Sequence, residues 1–84
     1  MTKEKIYTMF VEVLAEHFEI QGDQVHSRAR LVADLDLDSL DLIALGAEIE
    51  DKSGIALEEK DIRDCETIGE LIDRFAARLA ERAI

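Results

Sequence analysis

Arg30-Leu31-Val32-Ala33-Asp34-Leu35-Asp36-Leu37-Asp38-Ser39-Leu40-Asp41 is the stretch from which the rest of the 84-residue chain can be read. As far as Leu37 it has no helical period, and Leu31, Val32, Leu35 and Leu37 read as apolar anchors of an irregular connection. At Asp38 the pattern changes. Aspartate is among the best helix N-caps because its carboxylate accepts backbone N–H bonds that the first turn leaves unmade. That places Ser39 at the first helical position. Leu42, Leu45 and Ile49 follow at three- and four-residue steps and define an inward face. Ser53-Gly54 supplies the stop. Leu40, Ile43 and Ala47 share the other side of this helix and are expected to form a small exposed apolar patch.

On the N-terminal side, Ile6, Met9, Phe10, Val13, Leu14 and Phe18 line one face of a helix from about Lys3 to Glu19, with Thr2 as its cap. Gln21-Gly22-Asp23 ends it, with Gly22 expected as the left-handed residue. The connection from Gly22 to Asp38 exceeds the roughly 12–15 residues usual for loops in a compact domain, and such loops are often functional. Beyond Gly54 a short helical turn is expected from Glu58 to Asp64. Thr67-Ile68-Gly69-Glu70 then reads as a capping box that opens the last helix. Ile68, Leu71, Ile72, Phe75 and Leu79 give that helix its apolar stripe. Arg74, Arg78 and Arg82 lie in its C-terminal half, where the helix dipole favours cations. No segment alternates convincingly enough to be a strand. The expectation is an all-α chain, a small four-helix bundle of three longer helices and one short helix, forming a single domain over residues 1–84.

Composition narrows the function. A hydrophobic share of 48% permits a modest core, while the absence of proline and tryptophan and the presence of only four glycines disfavour turn-rich β architectures. The single cysteine, Cys65, excludes an internal disulfide framework and a cysteine-based zinc cluster. It also suits a reducing compartment, so a cytoplasmic location is expected. Twenty acidic and ten basic residues give a net charge of −10, the wrong sign for a nucleic-acid backbone. No apolar run approaches the roughly 20 residues of a membrane span. Residues 34–61 hold ten acids (Asp34, Asp36, Asp38, Asp41, Glu48, Glu50, Asp51, Glu58, Glu59 and Asp61) and only Lys52 and Lys60 as cations. Such a surface suits basic protein partners.

This acidic segment resembles the attachment-site signature of acyl carrier proteins, in which a loop of the form D-L-x-x-D-S-L-D delivers a serine to the start of the second helix. The likeness extends from about residue 3 to 80, including Ser53-Gly54-Ile55-Ala56-Leu57-Glu58-Glu59 after helix two and Thr67-Ile68 at the start of the last helix. The resemblance implies that Ser39 receives 4′-phosphopantetheine from coenzyme A through a phosphopantetheinyl transferase, and that the chain has no catalysis of its own. It implies a free-standing, monomeric carrier of thioester-bound acyl groups in fatty-acid, polyketide or related lipid biosynthesis. Its partners would be the transferase and acyl-transferring or synthase enzymes with basic docking patches. The surface offered to them would comprise Asp34, Asp36, Asp38, Leu40, Asp41, Ile43, Ala47, Glu48, Glu50 and Asp51. Peptidyl and D-alanyl carriers share the architecture.

The chain departs from the family pattern at several places. Asp36 stands where many members have glycine, Ser53 where an aromatic is common, Glu58 where proline is common, and Ala44 where many have glutamate. Aspartate tolerates left-handed backbone better than most residues, so the turn at Asp36 can survive. Gly46 stands where a bulky apolar residue is usual. Two readings fit it: close packing of a neighbouring helix on bare backbone, or room for the start of an acyl chain.

Other chemistries fit poorly. A calcium loop beginning at Asp34 needs glycine at its sixth place and glutamate at its twelfth, where Ser39 and Leu45 stand. No metal site is expected beyond loose binding of divalent cations. A serine hydrolase lacks the G-x-S-x-G elbow, and only His17 and His26 are available as bases. His17 reads as a boundary histidine, His26 as solvent-facing, and Cys65 as a small residue packed between the last two helices. The remaining alternative is a helical interaction domain with no carrier role.

Overall fold

The computed structural model describes residues 2–82, and four α-helices follow one another along the chain. Helix α1 spans Lys3–Phe18, α2 Ser39–Ser53, α3 Glu59–Arg63 and α4 Ile68–Arg82. Among the described residues there is no strand, only an isolated antiparallel bridge between Arg30 and Thr67. No described helix is long and apolar enough to cross a membrane.

The apolar spacing explains the packing. Ile6, Phe10, Val13 and Leu14 of α1 are buried, as are Leu42, Leu45 and Ile49 of α2 and Ile68, Leu71, Ile72 and Phe75 of α4. Helix α1 lies against α2 and α4, and α3 bridges α2 and α4. Phe10 and Phe75 meet edge to face with ring centroids 5.9 Å apart, an arrangement that aromatic quadrupoles favour. Ile20, Val25, Ala29, Leu31, Leu35 and Leu37 of the connection between α1 and α2 join this core, as do Ile55, Leu57, Ile62 and Cys65 between α2 and α4. Val32 does not join them: it is 61% exposed, contrary to its expected role as an anchor. The turn that follows Leu31 carries Val32 outward while returning Leu35 and Leu37 to the interior.

Helix ends show how local chemistry sets the boundaries. Thr2 caps α1, its hydroxyl accepting from the Lys5 N–H at 3.2 Å. The left-handed residue ending α1 is Glu19 (φ 56°), not Gly22, which lies in a one-turn 3₁₀ helix, Gly22–Gln24. Turning at Glu19 brings Ile20 into the core, its N–H bonded to the Leu14 carbonyl at 3.1 Å. Burial of one isoleucine therefore sets the turn three residues before the glycine. At the start of α4 the Thr67 hydroxyl accepts from the Glu70 N–H, as expected, but the Glu70 carboxylate returns to the Glu66 N–H at 3.1 Å.

The short helix α3 is held from three directions. Asp61, 2% exposed, accepts from Arg78 at 3.0 Å, from Arg74 at 3.2 Å and from the Glu58 N–H at 3.1 Å. The Arg78 guanidinium holds the Asp61 carboxyl below the usual carboxylate range, against the opposing effect of burial. Arg82 bonds the Gly54 carbonyl just past α2. The three arginines of α4 thus have specific partners; two of them clamp α3 and the third closes the end of α2.

Candidate functional site

The site is built around the start of α2. Asp38, in extended backbone, accepts from the Asp41 N–H at 2.8 Å, and the Asp41 carboxylate accepts from the Asp38 N–H at 3.1 Å. This reciprocal cap fixes the first turn. Ser39 is exposed at the first helical position, and its hydroxyl makes no hydrogen bond among the described residues. The Ser39 and Leu40 amides lie in the helix turn whose N–H groups lack intrahelical acceptors.

Upstream, the chain folds into a closed turn. The Arg30 carbonyl accepts from the amides of both Asp34 and Leu35, the Val32 carbonyl from Asp36, and the Leu31 carbonyl from Leu37. Asp34 reaches back to Arg30, accepting from its backbone N–H at 2.8 Å, Nε at 3.2 Å and Nη2 at 3.1 Å. Those bonds hold the Asp34 carboxyl below its ordinary range. Asp36 takes the left-handed conformation (φ 58°) that reverses the chain ahead of the helix.

The turn is also fastened to the start of α4. Leu31 donates to the Glu66 carbonyl at 2.9 Å, Ile68 to Ala29 at 3.0 Å, and Gly69 to Ser27 at 2.9 Å. A Cβ at residue 69 would come within 2.7 Å of the Ser27 carbonyl oxygen, so only glycine allows this approach. The sequence reading gave Gly69 no role beyond filling the capping box. Its signal was available: a glycine in the first turn of an otherwise strong helix asks for a close backbone neighbour.

Along α2 the two faces separate as the spacing predicts. Leu40 is 75% exposed, Ile43 47% and Ala47 exposed, while Leu42, Leu45, Gly46 and Ile49 face inward. The acids around them differ in their engagements. Asp34 is neutralised by Arg30, Asp38 and Asp41 cap the helix, and Glu48 lies 3.1 Å from His17 Nε2. Asp36, Glu50 and Asp51 are exposed and have no ion-pair partner among the described residues. Asp61, one acid of the same run in the sequence, is buried and belongs to the clamp on α3. His26 is exposed. Cys65 is buried, its thiol donating to the Asp61 carbonyl, and desolvation pushes its pKa up, which makes it a poor nucleophile. Among the described residues no group of three or more His, Cys, Asp or Glu side chains is arranged to hold a metal ion.

An exposed, unpaired serine at a capped helix start, ringed by acids, is what the attachment signature requires, and residues 6–75 match the family model described as the phosphopantetheine attachment site. The chain belongs to the acyl carrier protein family. It is 35% identical over 83 residues to the acyl carrier protein of Saccharopolyspora erythraea, an overlap covering 95% of this chain and 87% of that one. It is 30% identical to the meromycolate extension acyl carrier protein of Mycolicibacterium smegmatis, over 84% of this chain and 72% of the relative. The fold is similar to the crystal structure of an acyl carrier protein from Thermotoga maritima, with a TM-score of 0.82 at 26% identity, covering 95% of this chain and 93% of that one. It also resembles the Enterococcus faecalis acyl carrier protein, with a TM-score of 0.74 at 28% identity over 93% and 99% of the two chains.

Acyl carrier proteins have no catalytic activity of their own, and the family domain bears covalently attached 4′-phosphopantetheine. The start of α2 fits that group: an accessible hydroxyl lies where helix amides and the helix dipole favour a phosphodiester. The departures of this chain from the family pattern now have physical accounts. Asp36 accepts the left-handed turn where glycine is common. The Ser53 hydroxyl bonds the Ile49 carbonyl at 2.6 Å and accepts from the Ile55 N–H at 3.1 Å, closing α2 with polar contacts in place of a ring. Glu58 donates its amide to Asp61, which a proline could not do. At Gly46 a Cβ would stand 2.7 Å from Ile62 Cδ1, so α3 packs on bare backbone and the geometry supports the first of the two readings of that glycine. Nothing in the structure explains Ala44.

Proposed function

We propose that Ser39 is the attachment residue and that the chain acts as a free-standing, monomeric acyl carrier, a single domain working in the cytoplasm. The observation that carries this reading is the Ser39 hydroxyl, exposed and unpaired at the first position of a helix whose start is capped reciprocally by Asp38 and Asp41. Attachment forms a bond between Ser39 Oγ and the β-phosphorus of coenzyme A. It breaks the phosphoanhydride and releases adenosine 3′,5′-bisphosphate, with the serine proton passing to a base on the phosphopantetheinyl transferase. The attached arm supplies a thiol on which acyl groups ride as thioesters.

Docking follows from charge and shape. Asp36, Asp38, Asp41, Glu48, Glu50 and Asp51 form the field that draws a basic patch on the transferase or on an acyl-transferring or synthase enzyme. Leu40, Ile43 and Ala47 provide the apolar fit at close range. Asp34, neutralised by Arg30, adds little to that field. The relatives named above are acyl carriers, which favours acyl over peptidyl or D-alanyl cargo. Fatty-acid, polyketide or related lipid biosynthesis is the pathway class that such a carrier serves.

Incubation with coenzyme A and a phosphopantetheinyl transferase, followed by intact-mass measurement, tests the assignment. One phosphopantetheine per chain is expected. Ser39→Ala should abolish the mass gain with helicity unchanged. Modification of the Ser39→Ala variant, or of no residue in the unaltered protein, would overturn it.

A further inference from the structure

The carboxylate of Asp34 is turned into its own loop. Both of its oxygens are bonded to Arg30, through Nε and the backbone N–H on one and Nη2 on the other. Arg30 in turn is the residue bridged to Thr67, and its carbonyl gathers the amides of Asp34 and Leu35. The pair therefore closes a ring at the point where the loop is fastened to α4. The chain from this ring to Ser39 is short and fully committed. Leu35 and Leu37 are buried, Asp36 is bonded to Val32, and Asp38 caps the helix. Little freedom remains between the Arg30–Asp34 ring and the serine hydroxyl.

A docking carboxylate should be free to meet a partner's cation, as Glu50 and Asp51 are. Asp34 is not: its charge is matched by a guanidinium of the same loop, which also holds its pKa down. We infer that Arg30 and Asp34 are a positioning pair for phosphopantetheinylation, holding the loop that aims Ser39 at the reacting phosphorus, and that Asp34 is not a contact for the partner. This rests on Ser39 as the attachment residue.

The two roles predict opposite effects of removing the arginine. If Asp34 served docking, Arg30→Ala would unmask its charge on an acidic surface, and the rate of modification by a basic transferase would rise. As half of a positioning pair, Arg30→Ala loosens the loop and the rate falls. The test is steady-state modification by a phosphopantetheinyl transferase with coenzyme A, across a range of sodium chloride concentrations. The substrates are the unaltered protein, its Arg30→Ala, Arg30→Lys, Asp34→Ala and Asp34→Asn variants, and the double variant Arg30→Ala with Asp34→Ala. Thermal melts establish that each is folded at the assay temperature.

Arg30→Ala and Asp34→Ala are each expected to lower kcat about tenfold, a loss of 1.4 kcal/mol, with KM and the slope of rate against salt unchanged. The double variant is expected to be no worse than either single one, because the two residues act as a unit. Asp34→Asn keeps an acceptor for the Arg30 N–H and should recover part of the rate. A rise in rate with Arg30→Ala, or a raised KM and shallower salt dependence with Asp34→Ala, would assign Asp34 to docking and overturn the inference. If Asp34→Ala does not fold, the Arg30 variants decide by the sign of their effect. Failure of the unaltered protein to be modified would instead overturn the assignment of Ser39, so the two failures are distinct.

Discussion

Asp61 and Arg78 meet across seventeen positions of sequence, with both carboxylate oxygens 3.0 Å from one guanidinium nitrogen. Asp61 is the one charged residue buried among the described residues, and Arg74 shares it at 3.2 Å. A helix as short as α3 has little stability of its own. Its place over α2 is set by this carboxylate and by Ile62, and Asp61 links the amide at the start of α3 to the arginines of α4.

Removing that carboxylate leaves two arginines without their shared partner and the Glu58 N–H at the start of α3 without its acceptor. Breaking a buried pair from one side costs about 3–5 kcal/mol; the arginines here can rehydrate, so Asp61→Ala should cost about 2 kcal/mol. For a domain of this size that lowers the Tm by roughly 8–16 °C. The pH dependence follows from the depressed pKa. The stabilisation is complete above the unfolded-state value of about 3.9 and is lost as pH falls through the lower folded-state value. Urea titrations between pH 7 and 3 should show this acid loss in the unaltered protein and a flatter profile in Asp61→Asn.

Gly46 and Ile62 should be coupled. Gly46→Ala gains about 1 kcal/mol of helix propensity but forces a methyl against Ile62 Cδ1, where overpacking costs about 1–3 kcal/mol. A net loss of about 1 kcal/mol is expected. Ile62→Val alone costs about 1 kcal/mol, yet it removes the clashing atom. The double variant should therefore be more stable than the sum of the two losses by about 1 kcal/mol. Chemical denaturation of the four proteins measures this, and strict additivity would show that the two residues do not compete for the space.

The left-handed Asp36 carries a conformational cost that glycine lacks. Asp36→Gly should stabilise the protein by about 0.5–1 kcal/mol, the relief exceeding the added freedom of the unfolded chain. Asp36→Val should destabilise it by more than about 1 kcal/mol, since β-branched residues resist positive φ. Melting temperatures in the order Gly, Asp, Val are the expected outcome; equal temperatures would mean that the turn is not held in this conformation.

The apolar patch on α2 should matter to partners and not to folding. Leu40→Ala and Ile43→Ala, at 75% and 47% exposed positions, should each change stability by less than about 0.5 kcal/mol. Each should raise the transferase KM several-fold, since a buried aliphatic side chain contributes about 1.5–3 kcal/mol when fully covered. Kinetics paired with thermal melts separate the two effects, and loss of stability without a change in KM would make both residues part of the fold.

Local signals made most of this architecture readable. Apolar steps of three and four place α1, α2 and α4, and Asp38, Gly54 and Thr67 mark their ends because capping depends on nearby residues. Much of what escaped the reading depends on the packed structure. Asp61 is one acid among ten in its segment, and only arginines thirteen and seventeen positions later make it a buried ion. Glu19 turns in place of Gly22 because Ile20 needs the core. Val32 and Leu31 are alike in hydropathy, but the turn can bury only one of the two. At the start of α2, the exposed position of Ser39 and the exposed side of the helix were legible, while the engagement of Asp34 by Arg30 and the close approach of Gly69 were not.

The bonds from the serine loop to Glu66, Ile68 and Gly69 impose an order on biosynthesis. Ser39 leaves the ribosome before the residues that fasten its loop, by roughly a second or more at about 5–20 residues per second. During that interval the Asp38-Ser39-Leu40 tripeptide exists without its frame. A chain truncated before Glu66 carries the whole tripeptide and none of those fastenings. Coupling the loop to the last helix thus makes the geometry around Ser39 a record that translation has reached the first turn of α4.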